Sequence, residues 1–138
     1  MYTAKGHCLC KSVSFQFQTK ELEFDACHCS MCRRWSGGPG LGVTASNVPQ
    51  FIGEENIQIY SSSDWAERAF CRKCGTQLFF RLKDKSFTNF QLGTLENNSE
   101  YKFNLQIFVD SKPANYSFAQ NTKMMTEAEV LEAFSKKS

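Results

Sequence analysis

Phe70-Cys-Arg-Lys-Cys-Gly-Thr-Gln-Leu-Phe-Phe-Arg-Leu82 carries two signals in one short run. Cys71, Cys74 and Gly75 form a C-x-x-C-G knuckle, a turn that aims two sulfurs and several backbone N–H groups at one point, with glycine relieving the bend. Leu78, Phe80 and Leu82 then recur at every second position, the period of a strand with one face buried. A metal-type knuckle feeding directly into a strand predicts a small β-rich domain held partly by its cysteines.

The same alternation recurs on both sides. Val13, Phe15 and Phe17 alternate with Ser14, Gln16 and Gln18, and Ile57 with Ile59 repeats the pattern. Leu105, Ile107 and Val109 do so again, and Phe90 with Leu92 suggests one more strand. Turn-forming clusters separate these runs at Gly37-Gly-Pro-Gly40, Gly53-Glu-Glu-Asn56, Lys83-Asp-Lys85 and Glu96-Asn-Asn-Ser99. Ser61-Ser-Ser63 reads as a loop. Short strands at this spacing predict a mainly β, mostly antiparallel domain. One helix is expected near 126–136. There Thr126 is the N-cap, Glu129 completes a capping box and Met125 staples onto Val130. Val130, Leu131 and Phe134 would share a face docked on the sheet, with Lys136 and Lys137 at the negative end of the helix dipole. A short helical turn after Cys32 would be stopped by Gly37 and Gly38.

Composition narrows the function classes. The chain has 138 residues, 41% hydrophobic and 22% charged, which fits a single globular domain spanning 1–138. A net charge of +2 with no basic run argues against a nucleic-acid partner. No stretch approaches the roughly 20 apolar residues of a membrane-spanning helix. The first residues have no apolar h-region, so a cytoplasmic location is expected. Thirteen Phe predict sheets packed through aromatic rings, and seven Cys is an odd number that cannot pair completely. In a reducing compartment clustered thiols usually mean metal. For the same reason the sequons at Asn97 and Asn115 carry little weight.

All seven cysteines fall in three clusters: Cys8-Leu-Cys10, Cys27-His-Cys29-Ser-Met-Cys32 and Cys71-Arg-Lys-Cys74. A closed structural zinc takes four ligands, whereas a catalytic zinc takes three protein ligands and keeps one position open. Seven therefore divides into four and three. Cys27, Cys29 and Cys32 could cap one ion from a single loop, leaving Cys8, Cys10, Cys71 and Cys74 as a four-cysteine site. That site would close a loop of about 60 residues, an entropic cost that metal binding could offset. Other divisions stay open. One zinc could use two of the central cysteines, or the central three could close a site with His28 or His7. Cys29-Ser-Met-Cys32 could also be a redox pair. His28, between two ligands, is awkwardly placed to ligate, and His7 reads as a surface or supporting residue.

The succession Gly6-His-Cys-Leu-Cys10, Cys27-His-Cys-Ser-Met-Cys-Arg-Arg-Trp-Ser-Gly37, Phe70-Cys-Arg-Lys-Cys-Gly75 and Ile107-Phe-Val-Asp-Ser-Lys-Pro113 resembles the glutathione-dependent formaldehyde-activating enzyme (Gfa-type) family. The similarity covers residues 6 to about 118. It implies a β-tent of small antiparallel sheets, with the C-terminal helix as an addition. It implies two zinc ions per chain, a structural one on Cys8, Cys10, Cys71 and Cys74 and a catalytic one on Cys27, Cys29 and Cys32. The implied activity is a carbon–sulfur lyase joining formaldehyde to glutathione as S-hydroxymethylglutathione, or splitting that adduct. The pattern departs from the family at Gln106, where His is frequent, and at Asn115-Tyr116, where Trp is frequent. Both fall where a substrate wall could lie, which leaves the zinc sites intact and the thiol adduct open.

Three thiolates make the central site net negative, which favours exchange of a fourth ligand over strong Lewis acidity; delivery of a thiol nucleophile is the expected chemistry. Arg33 and Arg34 follow the last ligand and could pair with a substrate carboxylate. Equally, they could be solvated surface charges. Trp35 reads as packing. The competing reading is a non-catalytic, zinc-stabilised protein-docking module. A third central cysteine speaks against it, because a purely structural fold needs only the outer four.

Overall fold

The alternation at Val13–Gln18 becomes a strand whose apolar side chains all turn inward, and most of the remaining elements pair around such segments. In the computed structural model, which describes residues 1–135, these are β1 (Tyr2–His7), β2 (Ser14–Thr19), β3 (Glu23–Cys27), α1 (Ser30–Ser36), β4 (Gly40–Thr44), β5 (Gln50–Ile52), β6 (Ile57–Ser61), β7 (Ala66–Cys71), β8 (Gln77–Leu82), β9 (Thr88–Gln91), β10 (Lys102–Ile107), β11 (Lys123–Met125) and α2 (Glu127–Ser135). The chain divides into two compact units. One comprises Met1–Leu22 and Gly42–Tyr101, the other Glu23–Leu41 and the chain from Lys102 onward.

In the first unit every pairing is antiparallel. β1 and β5 flank β2, and a second run of strands follows the order β4-β9-β8-β7-β6. Aromatic rings join the two sets. Phe15 and Phe17 of β2 stack on Phe90 of β9 at centroid distances of 4.5 and 4.4 Å. Phe79 and Phe51 close the cluster at 5.3 and 6.2 Å from Phe90. Such offset ring pairs add to the several kcal/mol that burying each side chain already contributes, about 2–3 per ring. Five of the thirteen Phe thus build the aromatic core of this unit.

Several sequence expectations change here. In β8 the buried pair is Leu78 and Phe79, while Phe80 is only half-buried. A register shift opposite Ala69 and Phe70 is the reason: a bulge puts one extra residue on the strand and re-aims its neighbour. β6 forms as expected but lies at the edge of the run, so Ile59 and Tyr60 are exposed. Ser61 belongs to β6, leaving residues 62 and 63 as the loop. β9 ends at Gln91, and Leu92 starts a 3-10 turn instead of extending the strand.

The second unit pairs differently. β10 lies between β3 and β11 and is parallel to both, so the antiparallel expectation does not extend to this unit. Long connections between these strands permit the parallel arrangement. Phe24 stacks on Phe103 at 4.9 Å, and Phe118 meets Phe103 edge-on at the same distance. The fully buried side chain of β10 is not Leu105 or Ile107 but Gln106. The strand stops at Ile107 because Phe108 adopts a left-handed conformation (φ 55°), which places Val109 in a 3-10 turn.

The C-terminal helix is capped as expected. Thr126 N donates to Glu129 Oε1 (3.0 Å) and Glu129 N to Thr126 Oγ1 (3.3 Å), a reciprocal box. Asp110 takes a further orphan donor, Glu127 N, at 3.0 Å. Val130 is buried and Phe134 half-buried, but Leu131 is 53% exposed. Residues 130 and 134 are four apart and share a stripe, whereas 131 is rotated about 100° away from it. Lys136 and Lys137 lie outside the described residues.

Candidate functional site

Four sulfurs meet in the first unit. The Sγ atoms of Cys8, Cys10, Cys71 and Cys74 all lie within 4.8 Å of one another. Two tight turns bring them there. Between β1 and β2, Cys8 N donates to Val13 O at 3.0 Å and Val13 N donates back to Cys8 Sγ at 3.3 Å, around Lys11, whose φ is 65°. After β7, Gly75 N donates to Cys71 O at 2.8 Å with Gly75 at φ 79°. No atom would block a Cβ at Gly75, so it is the left-handed backbone and not space that asks for glycine.

The separations fit a tetrahedral ion. Cys8 and Cys10 Sγ are 3.7 Å apart, and Cys10 and Cys71 Sγ 3.8 Å. Four sulfurs at about 2.3 Å from a zinc would be separated by about 3.8 Å. The electrostatics point the same way. Thr76 hydrogen-bonds Cys74 and brings its thiol down to about 5, and Ser12 lowers Cys10. Burial pushes Cys8 up to about 11, since a thiolate sealed from water needs a cation beside it. No sequence motif assigns Thr76 a part in this site. Its hydroxyl lies 3.2 Å from Cys74 Sγ and accepts from Leu9 N at 3.0 Å, tying one knuckle to the other.

The second group is Cys27, Cys29 and Cys32, again with all Sγ atoms within 4.8 Å. It lies wholly within the second unit, at the junction of β3 and α1. Cys27 ends β3. Cys29 is the N-cap of α1, and its Sγ accepts from Cys32 N at 3.3 Å. The helix therefore begins before Cys32, earlier than expected, and stops at Gly37 as anticipated, with φ 79° there and Gly37 N on Arg33 O. Hydrogen bonding to Cys29 and Cys32, together with burial, pushes the Cys27 thiol far up. Three crowded thiols cannot all ionise without a positive charge among them, so this donor set too suits a soft or borderline cation. Among the described residues no histidine or carboxylate joins either group.

His28 settles one open division. It is completely buried, and both ring nitrogens are engaged: Nδ1 with Tyr116 Oη and Nε2 with Gln106 Oε1, each at 2.8 Å. It is a strut between two cysteines and not a fourth ligand. His7 turns its Nδ1 to the carbonyl of Cys8 at 2.8 Å. The two arginines also separate. Arg33 is half-buried, with Nε donating to the His28 carbonyl at 3.0 Å, while Arg34 is exposed. Trp35 is half-buried on α1. No disulfide joins any two of the seven cysteines. No helix among the described residues is long and apolar enough to cross a membrane.

Comparison with known proteins supplies the remaining findings. Residues 3–111 match the model of a family described as glutathione-dependent formaldehyde-activating enzyme. An uncharacterized lyase of Schizosaccharomyces pombe is 35% identical over 135 residues, covering 96% of this chain and 97% of that protein. A Halomonas elongata protein provisionally named a glutathione-dependent formaldehyde-activating enzyme is 30% identical over 84 residues, 54% of each chain. A crystal structure of a Rhodobacter sphaeroides protein superimposes with a TM-score of 0.57 at 26% identity, covering 67% of this chain and 88% of that one.

Proposed function

Because the chain belongs to the glutathione-dependent formaldehyde-activating enzyme family, we propose that it is a zinc-dependent carbon–sulfur lyase acting on glutathione or a related thiol and its hydroxymethyl adduct. One observation carries the reading. Three sulfurs converge from a single short segment, and the nearest histidine is turned away from them by two other hydrogen bonds. Cys8, Cys10, Cys71 and Cys74 would hold a structural zinc, since four ligands close the coordination sphere. Cys27, Cys29 and Cys32 would hold a second, catalytic zinc with one position left for substrate. When bound there, zinc supplies a position at which a thiol gives up its proton near neutral pH.

The chain's own residues do the rest. In the forward direction the thiol S–H bond breaks, a C–S bond forms to the aldehyde carbon, and the carbonyl oxygen takes up a proton. The reverse reaction splits C–S and returns the thiol. Cys29 Sγ, fixed as helix N-cap, and Cys32 on the first turn hold the sulfurs in a rigid frame. Arg33 is the better candidate for the substrate carboxylate than Arg34. Its Nε is anchored on the loop carbonyl, which holds the guanidinium fork in place at low entropic cost. Clustered cysteines that form no disulfide suit a reducing compartment, and a cytoplasmic location is part of this reading.

The test is a metal count with a single variant. Wild-type protein should carry close to two zinc ions per chain, and Cys32→Ser close to one, with an unchanged far-ultraviolet spectrum and no turnover of the adduct. A wild-type count of one that is indifferent to glutathione would sink the catalytic reading and favour a zinc-stabilised docking module.

A further inference from the structure

β6 pairs with β7 on one side and forms the outer edge of its run on the other. Which of its backbone groups face that edge follows from the ladder. Arg72 N donates to Asn56 O at 2.8 Å, one step beyond the pair Ile57↔Cys71. Cys71 N turns the other way, to Thr76 O at 2.9 Å. Bonded and non-bonded pairs alternate along an antiparallel ladder, so Gln58 and Tyr60 aim their backbone groups at β7. Ile57, Ile59 and Ser61 therefore aim theirs outward. Two side-chain contacts agree with this, since Arg72 donates to Ile57 O at 3.2 Å and Gln58 Nε2 to Ile59 O at 3.5 Å. The N–H of Ile57 is turned into the preceding 3-10 turn, onto Glu54 O. The outward set is thus Ile57 O with the N–H and C=O groups of Ile59 and Ser61.

Strand edges are ordinarily blunted by charge, by proline, by shortness or by a covering segment. The other edges of this unit follow that rule. On β1, Glu96 N donates to Lys5 O at 2.8 Å and Gly6 bridges to Leu95. β5 is three residues long and runs into Gly53, whose φ is 79°. β6 has none of these devices. Its sequence, Ile57-Gln-Ile-Tyr-Ser61, holds no charge and no proline, and Ile59 and Tyr60 are 38% and 56% exposed. Ile59 lies across from Ala69, which lies across from Phe79, and both of those are buried. The apolar face of the run therefore continues to the edge and stops there uncovered.

We propose that β6 is a dimerisation edge whose partner is β6 of a second copy of this chain, paired antiparallel about a two-fold axis at Ile59. The outward positions 57, 59 and 61 are symmetric about residue 59, as a self-complementary contact requires. Ile59 N–H and C=O meet their counterparts on the other Ile59, and Ser61 N–H meets Ile57 O on each side of the axis. The Arg72 and Gln58 side chains that rest on these carbonyls are exposed, and each oxygen has a second lone pair to share. The two Ile59 side chains then cover each other and extend the row from Phe79 and Ala69 across the axis. Charge favours the same partner. Exposed Glu54, Glu55 and Arg72 lie at the start of β6; at its end exposed Lys83 donates Nζ to Ser61 Oγ at 2.7 Å, and exposed Asp64 follows. Antiparallel pairing lays one strand's start on the other's end, setting the glutamates against Lys83 and Arg72 against Asp64. A five-residue edge makes a small interface, so association in roughly the micromolar range is expected.

Sedimentation velocity of the full chain, from low micromolar to near-millimolar concentration, tests the pairing. Wild-type protein should show a reversible monomer–dimer equilibrium. Ile59→Pro deletes the outward N–H and spares the bonds to β7, because proline is tolerated on an edge strand where its nitrogen faces solvent. It should raise the dimer Kd at least about tenfold, through the two hydrogen bonds lost per dimer, with the far-ultraviolet spectrum unchanged. Wild-type protein that stays monomeric throughout would overturn the proposal and leave the edge to some other chain. So would an Ile59→Pro variant that dimerises as tightly as wild type. Should Ile59→Pro not fold, two exposed charges decide the matter. Glu55→Lys and Lys83→Glu should each weaken the dimer several-fold, and the double variant should recover most of that loss. Single variants without effect, or a double variant weaker than either, would refute the antiparallel pairing.

Discussion

The two units bury opposite kinds of centre. In the first, the middle is Phe90, fully enclosed by Phe15, Phe17, Phe51 and Phe79, and the four-cysteine group is stitched together by turns from distant parts of the sequence. In the second, the most buried side chains include His28 and Gln106, hydrogen-bonded to each other beside three cysteines from one short segment. An apolar centre can tolerate any occupant of suitable volume, whereas a polar one must satisfy each donor and acceptor in a fixed direction. The first arrangement maximises stability, and the second fixes orientation. That division fits the proposal of one structural and one substrate-facing metal centre.

The largest expected effect therefore falls on the four-cysteine group. Cys71 is fully buried, and its sulfur lies 3.8 Å from Cys10, far away in the sequence. Structural zinc contributes about 10–16 kcal/mol in small peptides, as much as the whole stability of a typical domain. Cys71→Ser should abolish cooperative thermal unfolding and cut the zinc content at the same time. Cys32→Ser should instead leave the melting transition within a few degrees of wild type. If both variants unfold alike, the contrast between the two centres is wrong.

Next in size is the aromatic core. Phe90→Ala removes the ring on which Phe15 and Phe17 stack, and truncations of this kind cost about 3–5 kcal/mol. Urea unfolding should register that loss, with zinc still bound at both centres while the protein stays folded. A loss below about 1 kcal/mol would mean that the metal, not the rings, organises the first unit.

Which of these features could be read from the sequence follows from how local each signal is. β2 was legible because Phe15 and Phe17 alternate with Gln16 and Gln18 and nothing interrupts the pairing. Both cysteine groups were legible because C-x-C, C-x-C-x-x-C and C-x-x-C-G are contiguous patterns, and the division into four and three matches the distances. β3 and β11 were not legible. Glu23-Phe-Asp-Ala-Cys27 and Lys123-Met-Met125 are too short and too mixed to alternate, and their parallel partner β10 lies elsewhere in the chain. The face of β8 was misread because a bulge leaves no trace in composition. Thr76 and Tyr116 were missed as partners for a related reason. Each acts through a hydrogen bond to a residue distant in sequence, Leu9 in one case and His28 in the other.

The smallest effect tests the periphery of the second unit. Glu129 accepts from Thr126 N and its hydroxyl, and these bonds hold its carboxyl below the ordinary glutamate value. A carboxyl depressed in the folded state stabilises it above the unfolded pKa, and the contribution is lost as pH falls through the folded value. Glu129→Gln should therefore lower stability slightly at neutral pH and converge on wild type once pH has fallen through the depressed folded value, below the ordinary glutamate range. Thermal melts across that range measure the difference directly. The side chain is exposed and the helix is an appendage on β11 and the turn at Val109–Ser111, so zinc binding at either cysteine group should not change. A pH-independent difference would mean that the glutamine loses packing and not a charge-assisted cap. Altered zinc binding would mean that α2 is coupled to the three-cysteine segment more tightly than its exposed cap implies.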